Sequence, residues 1–263
     1  MIWARLGQAW RAHAEARALA RRPIAPDLWK RTLVRYPFLR RRDDPQGQAL
    51  QRLVRLFLDR KEFNATGGLR LTNDVVVAIA AQACLPVLRL GLARYDGFVG
   101  IVVHPGQVVA NRTVEDEAGV VHEYDEVLAG EAVQGGPVML SWHDVRSAGR
   151  SAAEGYNVVI HEFAHVLDMA DGLANGAPQL DGSRVPPQEW AQTFGDAYQA
   201  FCAEVDAGTE TVLDPYAAQG PEEFFAVASE SFFVDAMRLR EAMPAIYALL
   251  ARYYRQDPAE EMP

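Results

Sequence analysis

Within Asn157-Val158-Val159-Ile160-His161-Glu162-Phe163-Ala164-His165-Val166-Leu167-Asp168 the chain sets two histidines four residues apart, with a glutamate directly after the first. On a helix, positions i and i+4 lie one turn apart on one face. His161 and His165 can therefore direct their imidazoles at one Zn²⁺, at about 2.0–2.1 Å. Glu162 falls beside such an ion rather than on it, the place of a general base for a water that the metal activates. Val158, Val159 and Ile160 before the motif, and Val166, Leu167 and Met169 after it, belong to a buried helix. The competing reading is two core histidines with Glu162 as a surface charge. A carboxylate inside an apolar run is costly unless something polar is paired with it, which favours the metal.

The rest of the chain is ample to house such a helix. Its 263 residues suffice for one large domain or two small ones. The reading is a single unit over residues 1–263, helical through residues 1–90, with a sheet and the site helices over 91–263. Hydrophobic residues make up 49% and charged ones 23%, ordinary for a globular protein with a sizeable core. The net charge of −9 is unevenly spread: residues 1–60 hold 14 Lys/Arg against 5 Asp/Glu, and the remainder 12 against 30. Such a basic segment can serve an acidic partner, but packing on its own acidic body is preferred. The acidic body speaks against direct nucleic-acid binding. Cys84 and Cys202 form no CxxC pair and read as reduced core residues of a cytoplasmic protein. No apolar run approaches the ~18 residues of a membrane span. The arginine-bearing stretch Met1 to Arg22 lacks the apolar centre of a secretory signal.

Taken in order, residues 2–21 favour helix and are stopped by Pro23 and Pro26. Asp27 is placed to cap a helix to about Tyr36. Leu50, Leu53, Val54, Phe57 and Leu58 recur at helical spacing and predict an amphipathic helix over 46–61. Glu62 to Arg70, with Gly67-Gly68, reads as a turn. Thr72 or Asn73 caps an apolar helix from Val75 to Leu85. Four strands follow: Phe98 to Val103, Gln107 to Ala110, Val120 to Tyr124 and Val138 to Trp142, with glycine turns at Gly130 and Gly135-Gly136. They predict a small mixed sheet ahead of the site helix, Ala152 to Ala170. Beyond the loop from Asp171-Gly172 to Pro186-Pro187 come helices over Gln188 to Val205, Glu222 to Phe233 and most of Arg238 to Tyr254. Helices, a small sheet, then helices again is an α+β order.

Two histidines do not complete a catalytic zinc site; three protein ligands and a water do. Three routes supply the third. A metzincin-like extension needs glycine at 168 and histidine at 171, where this chain has Asp168 and Asp171. A distant glutamate is available as Glu222, Glu223 or Glu230 on one predicted helix. Glu223 and Glu230, seven apart, share a face, so one could ligate while the other supports a histidine. The remaining histidines, His13, His104, His122 and His143, read better as surface or loop residues. Composition prefers the distant glutamate and leaves the candidates unranked. Asp168, three residues after His165, reads equally as an orienting group or as a capping residue. Val138 to Trp142 reads either as an edge strand that pairs with an extended peptide or as a buried structural strand.

Longer stretches carry a resemblance. They are Leu56-Phe57-Leu58-Asp59-Arg60-Lys61, Ala80-Ala81-Gln82-Ala83-Cys84-Leu85-Pro86-Val87-Leu88, Gly136-Pro137-Val138-Met139-Leu140-Ser141-Trp142, His161 through Met169, Pro221-Glu222-Glu223-Phe224-Phe225-Ala226-Val227, and Ser229-Glu230. In these the chain resembles the Mlc titration factor A family of bacterial, glucose-regulated zinc metallopeptidases. Val133 departs from it, where a tryptophan is expected. The resemblance implies a zincin-like core and a cytoplasmic zinc-dependent peptidase acting as an aminopeptidase on peptide substrates. It implies Glu223 as third ligand beside His161 and His165, and Tyr216 as the residue that meets the transition state, with Glu162 as base. It also implies a second class of function, in which the protein sequesters a Mlc-like transcriptional repressor of sugar uptake.

Overall fold

The computed structural model describes residues 13–40, 44–115 and 121–261. Its helical N-terminal part holds α1 (residues 13–21), α2 (Pro26–Arg35) and α3 (Asp44–Arg60). The start of the helix expected over 2–21 lies outside the described residues. In α2 the expected cap moves by two positions. Pro26 supplies the first helical residue with its preset φ, Ala25 takes the cap position, and Asp27 stands in the first turn, near the positive end of the helix dipole.

The stretch read as a turn after α3 begins with a strand, β1 (Glu62–Ala65), parallel to β2 (Gly100–His104). Only Phe63 and Ala65 in it are apolar, too few for alternation to register. Between these strands runs α4 (Asn73–Cys84), capped by Thr72, whose hydroxyl accepts the Val75 amide at 3.4 Å. Next, β3 (Val108–Glu115) and β4 (Val121–Leu128) pair antiparallel with each other, apart from the main sheet, and both outrun their predicted spans. Then β5 (Gly130–Ala132) turns at Gly135-Gly136 into β6 (Val138–Ser141). The main sheet is four-stranded and mixed, in the order β1-β2-β6-β5. Its first three strands are parallel and β5 is antiparallel to β6.

β6 is therefore an interior strand, and β5 stands last in the strand order beside it, among the described residues. The edge-strand reading of Val138 to Trp142 is corrected accordingly. The chain doubles back at the Gly-Gly-Pro turn and covers β6 with three more residues. Trp142 leaves the strand as well. Ser141 caps a separate helix, α5 (Trp142–Ser151), by accepting the Asp144 amide at 3.4 Å. Gly155, at φ 78°, makes the break before α6 (Val158–Asp168), which is shorter than the helix expected over 152–170. After it come α7 (Pro187–Asp206), α8 (Pro221–Val234), α9 (Ala236–Ala242), α10 (Pro244–Tyr254) and α11 (Pro258–Glu261). The molecule is α+β and mostly helical.

Two aromatic clusters fix α6 and α8. Phe163 of α6 meets Tyr95, Phe57 and Phe98 at ring-centroid distances of 5.0, 5.7 and 5.7 Å, tying it to α3 and to the loop before β2. Behind α8, Phe224 meets Phe194 of α7 at 5.2 Å, and Phe225 meets Trp190 at 5.9 Å. Trp190 donates its indole N–H to the Gly176 carbonyl at 3.0 Å, pinning the loop that follows α6. Among the described residues no helix is long and apolar enough to cross a membrane.

Candidate metal centre

The helix-forming run that produces α6 also sets its start. Asn157 stands immediately before the apolar stretch, in extended conformation, and its side-chain oxygen accepts the Ile160 amide at 3.0 Å. One turn on, His161 and His165 project from the same face with their Nε2 atoms 3.1 Å apart. The opposing helix, α8, starts at Pro221, which puts Glu223 in its first turn. Glu223 Oε2 lies 3.2 Å from His161 Nε2 and 3.4 Å from His165 Nε2. One ligand atom from each of these three residues falls within 4.8 Å of the others, the one such group among the described residues.

The chemistry of this donor set fits a divalent cation. Two turns along α8, Glu230 places its carboxylate 2.7 Å from His161 Nδ1. An ionised carboxylate only accepts, so Nδ1 carries the proton and Nε2 presents its lone pair to the centre. Glu223 Oε2 is buried and finds no aligned N–H, although two imidazoles face it. A buried, unsatisfied carboxylate oxygen is costly, and a cation between the three groups would remove the cost. Charge points the same way. Burial alone would push the His161 ring down, but Glu230, Glu223 and Glu162 together hold it well above its ordinary value. A field that favours a proton there favours a dication more. Burial works against Glu223 too, yet its contacts with His161 and His165 bring the carboxyl down to about 2. Glu230 is raised by burial, an effect opposed by His161 and by the Asn157 amide, which donates to its second oxygen.

Glu162 is not among the three converging residues. It is 5% exposed, and burial raises it to about 7, with the two histidines opposing. It faces a cavity of about 220 Å³ lined also by Gly130, Tyr156, Val158, Leu213 and Tyr216. Tyr216 sits in the short 3-10 turn Pro215–Gln219 just before α8, with its ring centroid 6.2 Å from that of His161. Asp214 caps that turn by accepting the Tyr216 amide at 2.8 Å.

Other candidates fall elsewhere. Asp171 is exposed and accepts the Leu173 amide at 3.1 Å. Glu222 is outside the converging group. Asp168 is buried and accepts the Asn175 and Gly176 amides, each at 2.9 Å, so it fastens the loop after α6. His104 contacts Thr66, while His13 and His143 are exposed; the side chain of His122 lies outside the described residues. Two contributors went unread in sequence. Gln82 of α4 accepts from the Asn157 side-chain amide at 2.9 Å and donates to the Ala78 carbonyl at 3.1 Å, completing a chain from Gln82 through Asn157 and Glu230 to His161. Asn157 carries a legible signal, a capping residue directly before an apolar run. Gln82 carries none beyond being a lone polar group in an apolar helix.

Comparison with known proteins points to a metallopeptidase family. A family model described as glucose-regulated metallo-peptidase M90 matches residues 8–255. The chain is 39% identical over 229 residues to Mlc titration factor A of Edwardsiella ictaluri, covering 86% of each. Against Mlc titration factor A of Cronobacter sakazakii it is 35% identical over 238 residues, 89% of this chain and 88% of that one. An uncharacterized Synechocystis protein, slr2042, is 37% identical over 242 residues, 91% and 87% of the two chains.

Proposed function

The chain belongs to the glucose-regulated metallo-peptidase family M90, which gives it a metallopeptidase-type role, and from that premise we propose that it is a zinc-dependent aminopeptidase with a zincin-like core. The observation that carries the reading is the convergence of His161, His165 and Glu223 beside a cavity that also holds Glu162 and Tyr216. Two imidazoles and a carboxylate are a donor set suited to catalytic zinc. When bound, the ion supplies a Lewis acid that polarises the scissile carbonyl and acidifies water.

In this reading Glu162 takes a proton from the attacking water and returns it to the departing amine. A carboxyl held near neutrality can do both. Tyr216 donates its hydroxyl to the oxygen on which negative charge develops. Glu230 fixes His161 through Nδ1, and Asn157 and Gln82 fix Glu230. β5, the outermost strand of the main sheet among the described residues, lies beside the cavity, where an extended peptide would bind. Residues 1–263 act as one catalytic unit, since Gln82 of the N-terminal helical region reaches the cap of the site helix.

Zinc analysis of the purified protein, run beside a panel of amino-acid and blocked-peptide chromogenic substrates, tests this. Stoichiometric zinc with cleavage of unblocked substrates is expected; a metal-loaded protein that cleaves neither kind would overturn the reading. A second reading comes from the relatives named Mlc titration factor A: this chain too would titrate a Mlc-like repressor. Glu162→Gln separates the two, because it should keep repressor binding and lose cleavage.

A further inference from the structure

We propose that Gly130 is the positioning residue for the Glu162 carboxylate: its missing side chain is the space in which the catalytic group sits. This rests on the peptidase reading above. A Cβ added at Gly130 would lie 2.5 Å from Glu162 Oε1, 2.6 Å from its Cγ and 2.8 Å from its Cδ. All three are closer than non-bonded carbon and oxygen atoms approach. The backbone at Gly130 does not need glycine. It lies in a strand, and its φ is not among the positive ones. Space, not conformation, is what the glycine provides.

The strand cannot easily yield to a methyl group. Gly130 pairs with Leu140 of β6, and the neighbouring Ala129 carbonyl accepts the Ser141 amide at 2.7 Å. The α6 backbone is held by the Asn157 cap and by Phe163 in its aromatic cluster. The part free to move is the Glu162 side chain, and the cavity that it and Gly130 both line is where it would swing. Gly130 thus closes one side of the carboxylate's place, and the edge strand passes over the general base with no side chain between them.

Gly130→Ala tests this. The variant should bind zinc stoichiometrically, keep KM within about twofold and lose kcat by ~10-fold or more, as a displaced general base does. The second readout needs no activity. In metal-free protein, Gly130→Ala should lower Tm when residue 162 is glutamate. With Glu162→Ala in place, the same substitution should leave Tm unchanged or raise it, because alanine restricts the unfolded chain more than glycine. Equal Tm shifts in the two backgrounds, or an unchanged kcat in Gly130→Ala, would overturn the proposal. If the zinc-loaded wild type cleaves no peptide, the peptidase reading falls instead, and the melting cycle still decides whether Gly130 makes room for Glu162.

Discussion

At the scale of single residues, the proposed site divides into groups that would hold a metal and groups that would react, and substitutions should separate them. Glu223→Ala removes a converging carboxylate and should lose zinc, whereas Glu222→Ala and Asp171→Ala, whose side chains are outside the cluster, should keep it. Glu230→Gln leaves the three donors but weakens the acceptor on His161 Nδ1, so zinc affinity should fall ~10–100-fold. Titration with a competing chelator measures all four; an unaffected Glu223→Ala would remove that residue from the site. Glu162→Gln should retain zinc and lose rate by ~10²–10⁴, since an amide accepts no proton. Near-normal turnover by that variant would assign the proton transfer elsewhere. His161, Glu162 and His165 were readable from spacing, because a helix turns a four-residue interval into a shared face. Glu223 was not separable from Glu222 by packing patterns. The two differ by about 100° around the helix, and only the position of α8 against α6 distinguishes them.

At the scale of elements, the cap of α6 bears more than a helix terminus. Asn157 supplies the Ile160 amide with an acceptor, gives Gln82 a donor, and offers its own N–H to Glu230. Asn157→Ala loses the cap, worth ~1 kcal/mol, and leaves Gln82 Oε1 buried without its partner, at a further ~1–3 kcal/mol. Urea denaturation should show a loss of about 2–4 kcal/mol; a change under ~0.5 would mean that water replaces the side chain freely. The strands illustrate where pattern reading fails. β1 escaped because four residues with two apolar positions are too short a run to register a period, and the edge and buried readings of Val138 to Trp142 stayed open because nothing in Val138 to Ser141 reports the three-residue β5 beside it. Helix α6, by contrast, was overextended only at its ends, where a glycine break had gone unread.

Over the whole molecule, the N-terminal helices, the sheet and the site helices share one core, and Lys61 marks a place where that packing is strained by charge. The residue is 8% exposed, and its ammonium donates to the Tyr95 and Phe98 carbonyls and lies 3.7 Å from the centre of the Phe98 ring. Burial lowers its pKa to about 8, against 10.5 in the open chain. Between those values the unfolded state binds the proton that the native state has released, so stability rises with pH across that window. Wild type should therefore gain on Lys61→Met from pH 7.5 to 10 in denaturant melts, and a gap that stays constant would contradict the shift. A metal bound at the proposed site would act on the same whole-molecule equilibrium. A ligand of the native state at 100 times its Kd adds ~2.7 kcal/mol, so chelation should lower Tm by several degrees. The broad α+β order and helix α3 were legible because apolar periodicity reports helices well; the pairing order of the sheet was not, since it depends on contacts remote in sequence. The most direct test of the central claim is an anomalous difference map collected at the zinc edge from crystals of the zinc-loaded protein. Expected is a single peak per chain within ~2.0–2.2 Å of His161 Nε2, His165 Nε2 and a Glu223 oxygen; a peak coordinated by other residues, or none between these three, would contradict it.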